Sequence, residues 1–165
     1  MATFEIREPM LMDAEWITQA CQDIEIQRWT LVPRPYKREH ALGFIANTIN
    51  ETHRWVIEQQ DSREAVGVVS IHTINPDTGD ADTGYWIAPW GRCSGAATHA
   101  LLLVEQFALT IPSINSLSAH IAETNAASRA TASRAGFVTM GSTPEPCPDG
   151  ENLVPALTYV KHLTR

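Results

Sequence analysis

The segment Gly84-Tyr85-Trp86-Ile87-Ala88-Pro89-Trp90-Gly91-Arg92-Cys93-Ser94-Gly95-Ala96-Ala97-Thr98-His99-Ala100 holds the residues whose order most directly suggests chemistry. It reads as a buried strand ended by proline, a loop of small residues, and the start of a long helix. A helix start presents N–H groups without acceptors at the positive end of the macrodipole, so a loop of this kind binds anions. A phosphate-bearing ligand is the expectation. The same loop sets Cys93 beside Arg92, where a thiol pKa is lowered, and a cysteine nucleophile served by His99 or His120 is a second chemistry open to it. The spacing of Cys93 and His99 on one loop-helix segment does not favour that arrangement, and no third residue that would orient the pair stands out. His72 and His120 fall on predicted strands, where a lone imidazole is more often structural than catalytic.

The elements that must position these residues follow from periodicity and from turn chemistry. Thr3 to Arg7 alternates as a short strand, and a helix runs from about Leu11 to Gln22. Residues 23–36, broken by Trp29, Pro33 and Pro35, read as an ordered loop, and 37–50 as a second helix. Strands at 54–59, 65–74 and 81–87 form an antiparallel meander. Its second turn is Asn75-Pro76-Asp77-Thr78-Gly79, and Asp77, Asp80 and Asp82 make that corner acidic. Gly95 to Leu109 is the strongest helix. A strand over 116–122 follows, then a helix capped by Asn125 and ended by Gly136, strands at 137–140 and 153–162, and between them a proline-rich surface loop, 142–150. This order predicts an α+β or mixed α/β sheet with helices on both faces.

Composition narrows the partners. The 165 residues suit one domain over 1–165, and 12 Lys+Arg against 19 Asp+Glu give a net charge of -7. That balance argues against a nucleic-acid partner and suits cationic substrates. No apolar run approaches the length of a membrane span, and the N-terminus lacks a signal pattern, so the expected location is the cytoplasm, with no membrane partner. Cys21, Cys93 and Cys147 are scattered and odd in number, which suggests neither a disulfide frame nor a metal site.

Three segments together resemble the GNAT superfamily of acetyl-CoA-dependent N-acyltransferases, and within it the ribosomal-protein N-terminal acetyltransferases. Arg92-Cys93-Ser94-Gly95-Ala96-Ala97 is similar to the family's Arg/Gln-x-x-Gly-x-Gly/Ala, Gly84-Tyr85-Trp86-Ile87 precedes it as in the subgroup, and Asn125-Ala126-Ala127-Ser128 is followed by Ala135-Gly136-Phe137. The resemblance covers nearly the whole chain. Cys93 departs from it, since the subgroup usually has glycine there, and a cysteine would narrow the cradle where glycine allows close approach and positive φ.

The resemblance implies a mostly antiparallel sheet of about seven strands, splayed at the strand ending near Ile87, and a homodimer is plausible. It implies acetyl-CoA as co-substrate and acetyl transfer by direct attack of a primary amine, either a protein N-terminal α-amine or a small-molecule amine. The amides of Arg92 to Ala97 (Arg92, Cys93, Ser94, Gly95, Ala96, Ala97) would hold the pyrophosphate. The pantetheine arm would run along Trp86, Ile87 and Ala88, with Asn125 bonding it and a backbone N–H near Ile87 or Ala88 serving the oxyanion. Asp82 would be the general base, with Glu123, His72 and His120 behind it, and Ser128 the acid at the leaving thiolate. Trp29, Tyr36 and Tyr85, with Pro33 and Pro35, would wall the acceptor site, while Arg129 and Arg134 are weaker phosphate candidates. The rival of the same fold is a non-catalytic acyl-CoA-binding or sensory domain.

Overall fold

The computed structural model describes residues 2–165. Seven strands form one sheet in the order β1-β2-β3-β4-β5-β7-β6. They are β1 (Phe4–Arg7), β2 (His53–Gln59), β3 (Ala65–Ile74), β4 (Asp80–Ile87), β5 (Ser116–Ala122), β6 (Val138–Asp149) and β7 (Asn152–His162). Every neighbouring pair is antiparallel except β4 and β5. That parallel pair exists because the chain must cross over through a helix to return, here α4 (Ala96–Leu109). The remaining helices are α1 (Ala14–Ala20), α2 (Ile24–Trp29), α3 (Arg38–Ile45) and α5 (Ala126–Arg134). Among the described residues, no helix is long and apolar enough to cross a membrane.

Alternation along the strands divides the core in two. Ile57, Val69, Ile71, Leu117 and Phe137 join Leu101 and Val104 of α4 in one cluster. On the other face Ile17, Cys21, Ile26, Tyr36 and Ala41 pack with Trp86. Tyr85 and Ile87 therefore belong to the α4 side, and Trp86 between them belongs to the α1–α3 side, as strand period demands.

Three expectations about the elements need correction. Residues 24–29 form α2, which Asp23 starts by accepting the N–H groups of Glu25 and Ile26, each at 3.1 Å. The second predicted helix ends at Ile45, because Asn47 and Asn50 take the left-handed conformation (φ 60° each). Residues 142–149, expected as a loop, continue β6. Pro144 and Pro146 sit where the register with β7 shifts, between Thr143 and Cys147, and β6 is the edge strand of the sheet. At an edge with a bulge, proline's missing N–H costs the ladder little.

Candidate active site

The feature that organises the site is a parting in the sheet. Strands β4 and β5 pair only from Asp80↔Ser116 to Thr83↔Ala119, and Gly84–Ile87 has no partner on the β5 side. The Ala88 N–H donates to Val66 O at 2.8 Å, so the pair 66/88 is hydrogen-bonded. Alternation then turns the backbone groups of Gly84 and Trp86 toward β3, and those of Tyr85 and Ile87 toward the gap. This refines the expected pantetheine strand. Trp86 spends its backbone groups on β3, Ala88 gives its N–H to β3 and its carbonyl to the Gly91 N–H at 2.9 Å, and the Trp86 indole lies against Trp16 with centroids 5.7 Å apart. Ile87 and Tyr85 are the residues that offer main-chain partners to a ligand, and Ile87 rather than Ala88 has a free N–H for an oxyanion.

At the end of the gap lies the loop before α4. The first helical bond runs from His99 N–H to Gly95 O at 3.0 Å, which leaves the preceding amides without helical acceptors, and no side chain caps them. Arg92, Cys93, Ser94 and Gly95 are all exposed. Gly95 has φ 80°, and a Cβ built on it meets nothing within 4 Å, so the face over these amides is open to a ligand. The residues present thus fit a diphosphate held by backbone N–H groups at a fourteen-residue helix. Cys93 adopts φ 58°, the conformation a glycine takes without cost, and so preserves the loop's path. The Ser94 hydroxyl donates to Gly91 O at 2.6 Å, so its amide rather than its hydroxyl proton is available. Arg92 is paired with Asp23. His99 stacks edge-on against Phe4, and His120 Nδ1 lies 3.1 Å from Asp82 Oδ1, so both imidazoles have partners other than the Cys93 thiol.

On the α4–α5 side of the gap stand Tyr85 and Ser128. The Tyr85 hydroxyl lies 2.8 Å from Ser128 Oγ and 3.1 Å from Ser128 O, and burial pushes its pKa up to about 12. Ser128 is fixed in turn by its N–H, which donates to the capping Asn125 Oδ1 at 3.2 Å. Tyr85 therefore faces Ser128 rather than the acceptor wall assigned to it from the sequence. Asn125 serves as the predicted N-cap, and its side-chain amide N–H groups remain for other partners.

On the α1–α3 face, Asp82 Oδ1 is 3.1 Å from His120 Nδ1 across the β4–β5 junction. His72 Nδ1 is 2.6 Å from Glu51 Oε2, and the bond from Glu51, outweighing burial, raises the His72 pKa above its ordinary value. Gly84 makes room for this imidazole, since a Cβ there would fall 2.3 Å from His72 Nε2. The Cys147 thiol approaches the His120 carbonyl at 3.6 Å, with its pKa raised by burial and by the charges of Asp82 and Glu145, so it stays protonated. Cys147 went unnoticed as a site residue because its strand was read as a loop.

Other assignments sort by their partners. Tyr36 is buried, 7% exposed, in the cluster of α1 and α3 beside Cys21, so it packs in the core rather than facing a ligand. Trp29 is half-buried on α2, where its indole N–H donates to Glu25 at 3.1 Å and Arg28 covers its ring. Arg28 also holds Asp149 at 2.7 Å, Asp149 accepts the Thr124 hydroxyl at 2.8 Å, and Gly150 N–H donates to Arg28 O at 2.8 Å. These bonds tie α2 to the β6–β7 hairpin and to the chain leaving β5. Arg129 is engaged by Tyr159 and by the Glu123 carbonyl, and Arg134 and Glu123 are exposed. A cavity of about 400 Å³ is lined by Arg7, Asp13, Trp16, Arg63 and Trp90 among others, and includes no residue of the gap.

This architecture matches known proteins. No curated protein matches the chain in sequence. Among solved structures, the microcin C7 self-immunity acetyltransferase MccE, in complex with acetyl-CoA and AMP, superposes with a TM-score of 0.83 at 20% identity, covering 97% of this chain and 92% of that one. RimJ of Mycobacterium smegmatis, in complex with CoA-disulfide, gives 0.84 at 18% identity over 96% and 81%. The spermidine N-acetyltransferase of Vibrio cholerae, in complex with CoA and spermine, gives 0.80 at 19% identity over 98% and 96%. Residues 4–138 match the family described as the acetyltransferase (GNAT) domain, and the chain belongs to that family.

Proposed function

We propose that the protein is an acetyl-CoA-dependent N-acetyltransferase that delivers an acetyl group to a primary amine by direct attack. The acceptor is a protein N-terminal α-amine or a small-molecule amine. The observation that carries this reading is the parting of β4 from β5 between two sets of polar groups. The open amides before α4 stand at one end, Asp82 with His120 lies on one face, and Tyr85 with Ser128 lies on the other. Relatives in fold include an acetyltransferase of ribosomal L7/L12 and spermidine N-acetyltransferases, both of which act on amines.

The amides of residues 93–97 hold the diphosphate, and the Ile87 and Tyr85 backbone groups orient the arm that leads from it. Bound there, the thioester supplies an activated acetyl carbon and a thiolate leaving group. With the imidazole Nδ1–H donated to Asp82, His120 Nε2 keeps a lone pair, so His120 takes the amine proton and Asp82 sets its tautomer. This assigns the base to a residue that sequence had ranked behind Asp82. Ile87 N–H donates to the carbonyl oxygen as charge develops there. The Tyr85–Ser128 hydroxyl pair hands a proton to the departing sulfur. A thiol titrates near ~8.5, so the sulfur leaves readily and this donor contributes less than positioning does. An α-amine, with a pKa near ~7.7–8.0, also asks less of the base than a lysine near ~10.4.

The decisive experiment measures thiol release from acetyl-CoA against a panel of amines and of peptides with free and blocked N-termini. Release with some free amines and none with blocked ones is expected. Binding of coenzyme A with no release on any acceptor would instead favour the sensory domain of the same fold.

A further inference from the structure

Arg92 is the one cation in the loop 91–98 that forms the proposed phosphate cradle. Its guanidinium is already occupied, because both terminal nitrogens address Asp23, Nη1 at 3.4 Å from Oδ1 and Nη2 in a closer bond to Oδ2. Asp23 is no freely moving surface acid. It caps α2 through bonds from the N–H groups of Glu25 and Ile26, and its side chain is only 17% exposed. Bonding from Arg92 holds its pKa below the ordinary carboxylate value, against the effect of burial, so it is ionised at neutral pH. The cradle's positive charge is thus met by a fixed internal anion, 69 residues away in sequence.

Two anions cannot share this guanidinium without repelling each other, and the carboxylate is the one that is covalently always present. We propose that Asp23 is a built-in competitor for the anionic end of the coenzyme, setting how tightly the cradle binds and yielding Arg92 to phosphate when the coenzyme arrives. This rests on the coenzyme A reading of the site. The competitor also stands at the first turn of α2, the helix whose Arg28 holds the β6–β7 hairpin through Asp149 and Gly150.

Calorimetric titration with coenzyme A tests this in the wild type, Asp23→Asn, Arg92→Gln and the double variant. Asparagine keeps the capping oxygen and removes the charge, and Asp23→Ser, which also caps, provides a second variant if the first folds poorly. Asp23→Asn and Asp23→Ser should tighten binding about threefold to fivefold, the size of one competing ion pair near the surface. In the Arg92→Gln background the gain should disappear. Unchanged or weaker binding in folded Asp23 variants would overturn the proposal and make Asp23 a positioning partner of Arg92. Wild-type protein that fails to bind coenzyme A at all would overturn the coenzyme reading itself.

Discussion

Cys93 stands at φ 58° in an exposed loop, a conformation that costs a residue with a Cβ about 1–2 kcal/mol relative to glycine. Among the described residues its thiol has no disulfide or hydrogen-bond partner that would offset the strain. Cys93→Gly should therefore raise stability, by roughly 0.5–1 kcal/mol once the greater freedom of glycine in the unfolded chain is deducted. Urea denaturation measures it, and a loss of stability would show that the thiol contributes something the geometry hides. The proton path makes a second demand at this scale. If His120 is the base and Asp82 its orienting partner, His120→Gln should lower kcat/KM about 100-fold or more and remove the acid limb of the pH profile. Asp82→Asn should cost less and keep that limb. The reverse ranking, with Asp82→Asn abolishing the limb, would return the base to Asp82.

At the scale of elements, the Glu51–His72 pair joins the segment before β2 to β3 just over Gly84. The folded-state pKa of His72 is raised, so its contribution is fully present below the unfolded value near ~6.5 and is lost as pH rises through the higher folded value. Stability should fall between neutral and mildly alkaline pH, and Glu51→Gln should flatten that fall. Denaturation midpoints taken at several pH values decide it; identical slopes in the two proteins would exclude the pair as the cause. Sequence made the local devices legible, for they lie within a few residues of one another: the Asn125 cap three residues before Ser128, the Gly136 stop, and the small-residue approach to α4. It hid α2, because six residues are too few to display a period and Pro33 and Pro35 follow closely. The signal was the capping Asp23. It hid most of β6 because alternating prolines normally mean loop, and only the edge position makes them compatible with a strand. The contacts that build the site were out of reach, since His120 finds Asp82 across 38 positions and Tyr85 finds Ser128 across 43.

For the molecule as a whole, one charged cluster ties the first strand to the rest. Arg7 on β1 makes bonds of 2.8 and 2.9 Å to Asp13 and one of 2.7 Å to Glu58 on β2, while Asp13 also accepts from the Met10 N–H and the Trp16 indole. Asp13 is 1% exposed and Glu58 4%. Burial would raise the Asp13 pKa, yet the bonds from Arg7, Met10 and Trp16 outweigh it and hold it below the ordinary value. Asp13→Asn removes the charge and leaves Arg7 partly uncompensated, so a loss of about 3–5 kcal/mol is expected in urea denaturation. A loss below 1 kcal/mol would mean that the cluster relaxes around the change. The same depressed carboxylate predicts that its share of stability is present above the unfolded pKa near ~3.9 and disappears as pH falls through the lower folded value.

The divided sheet also leaves a signature in time. In an ordinary central strand every amide is shielded by one neighbour or the other, whereas β4 beyond Thr83 has a neighbour on one side only. Trp86 and Ala88 should keep their protons when the protein is moved into heavy water, and Tyr85 and Ile87, between and beside them, should exchange orders of magnitude sooner. One strand in the middle of a folded sheet would then trade its hydrogens with a period of two, and addition of coenzyme A should slow every second residue. Uniform protection along 84–88 in the free protein would mean that the two halves of the sheet meet in solution, and that the ligand must prise them apart.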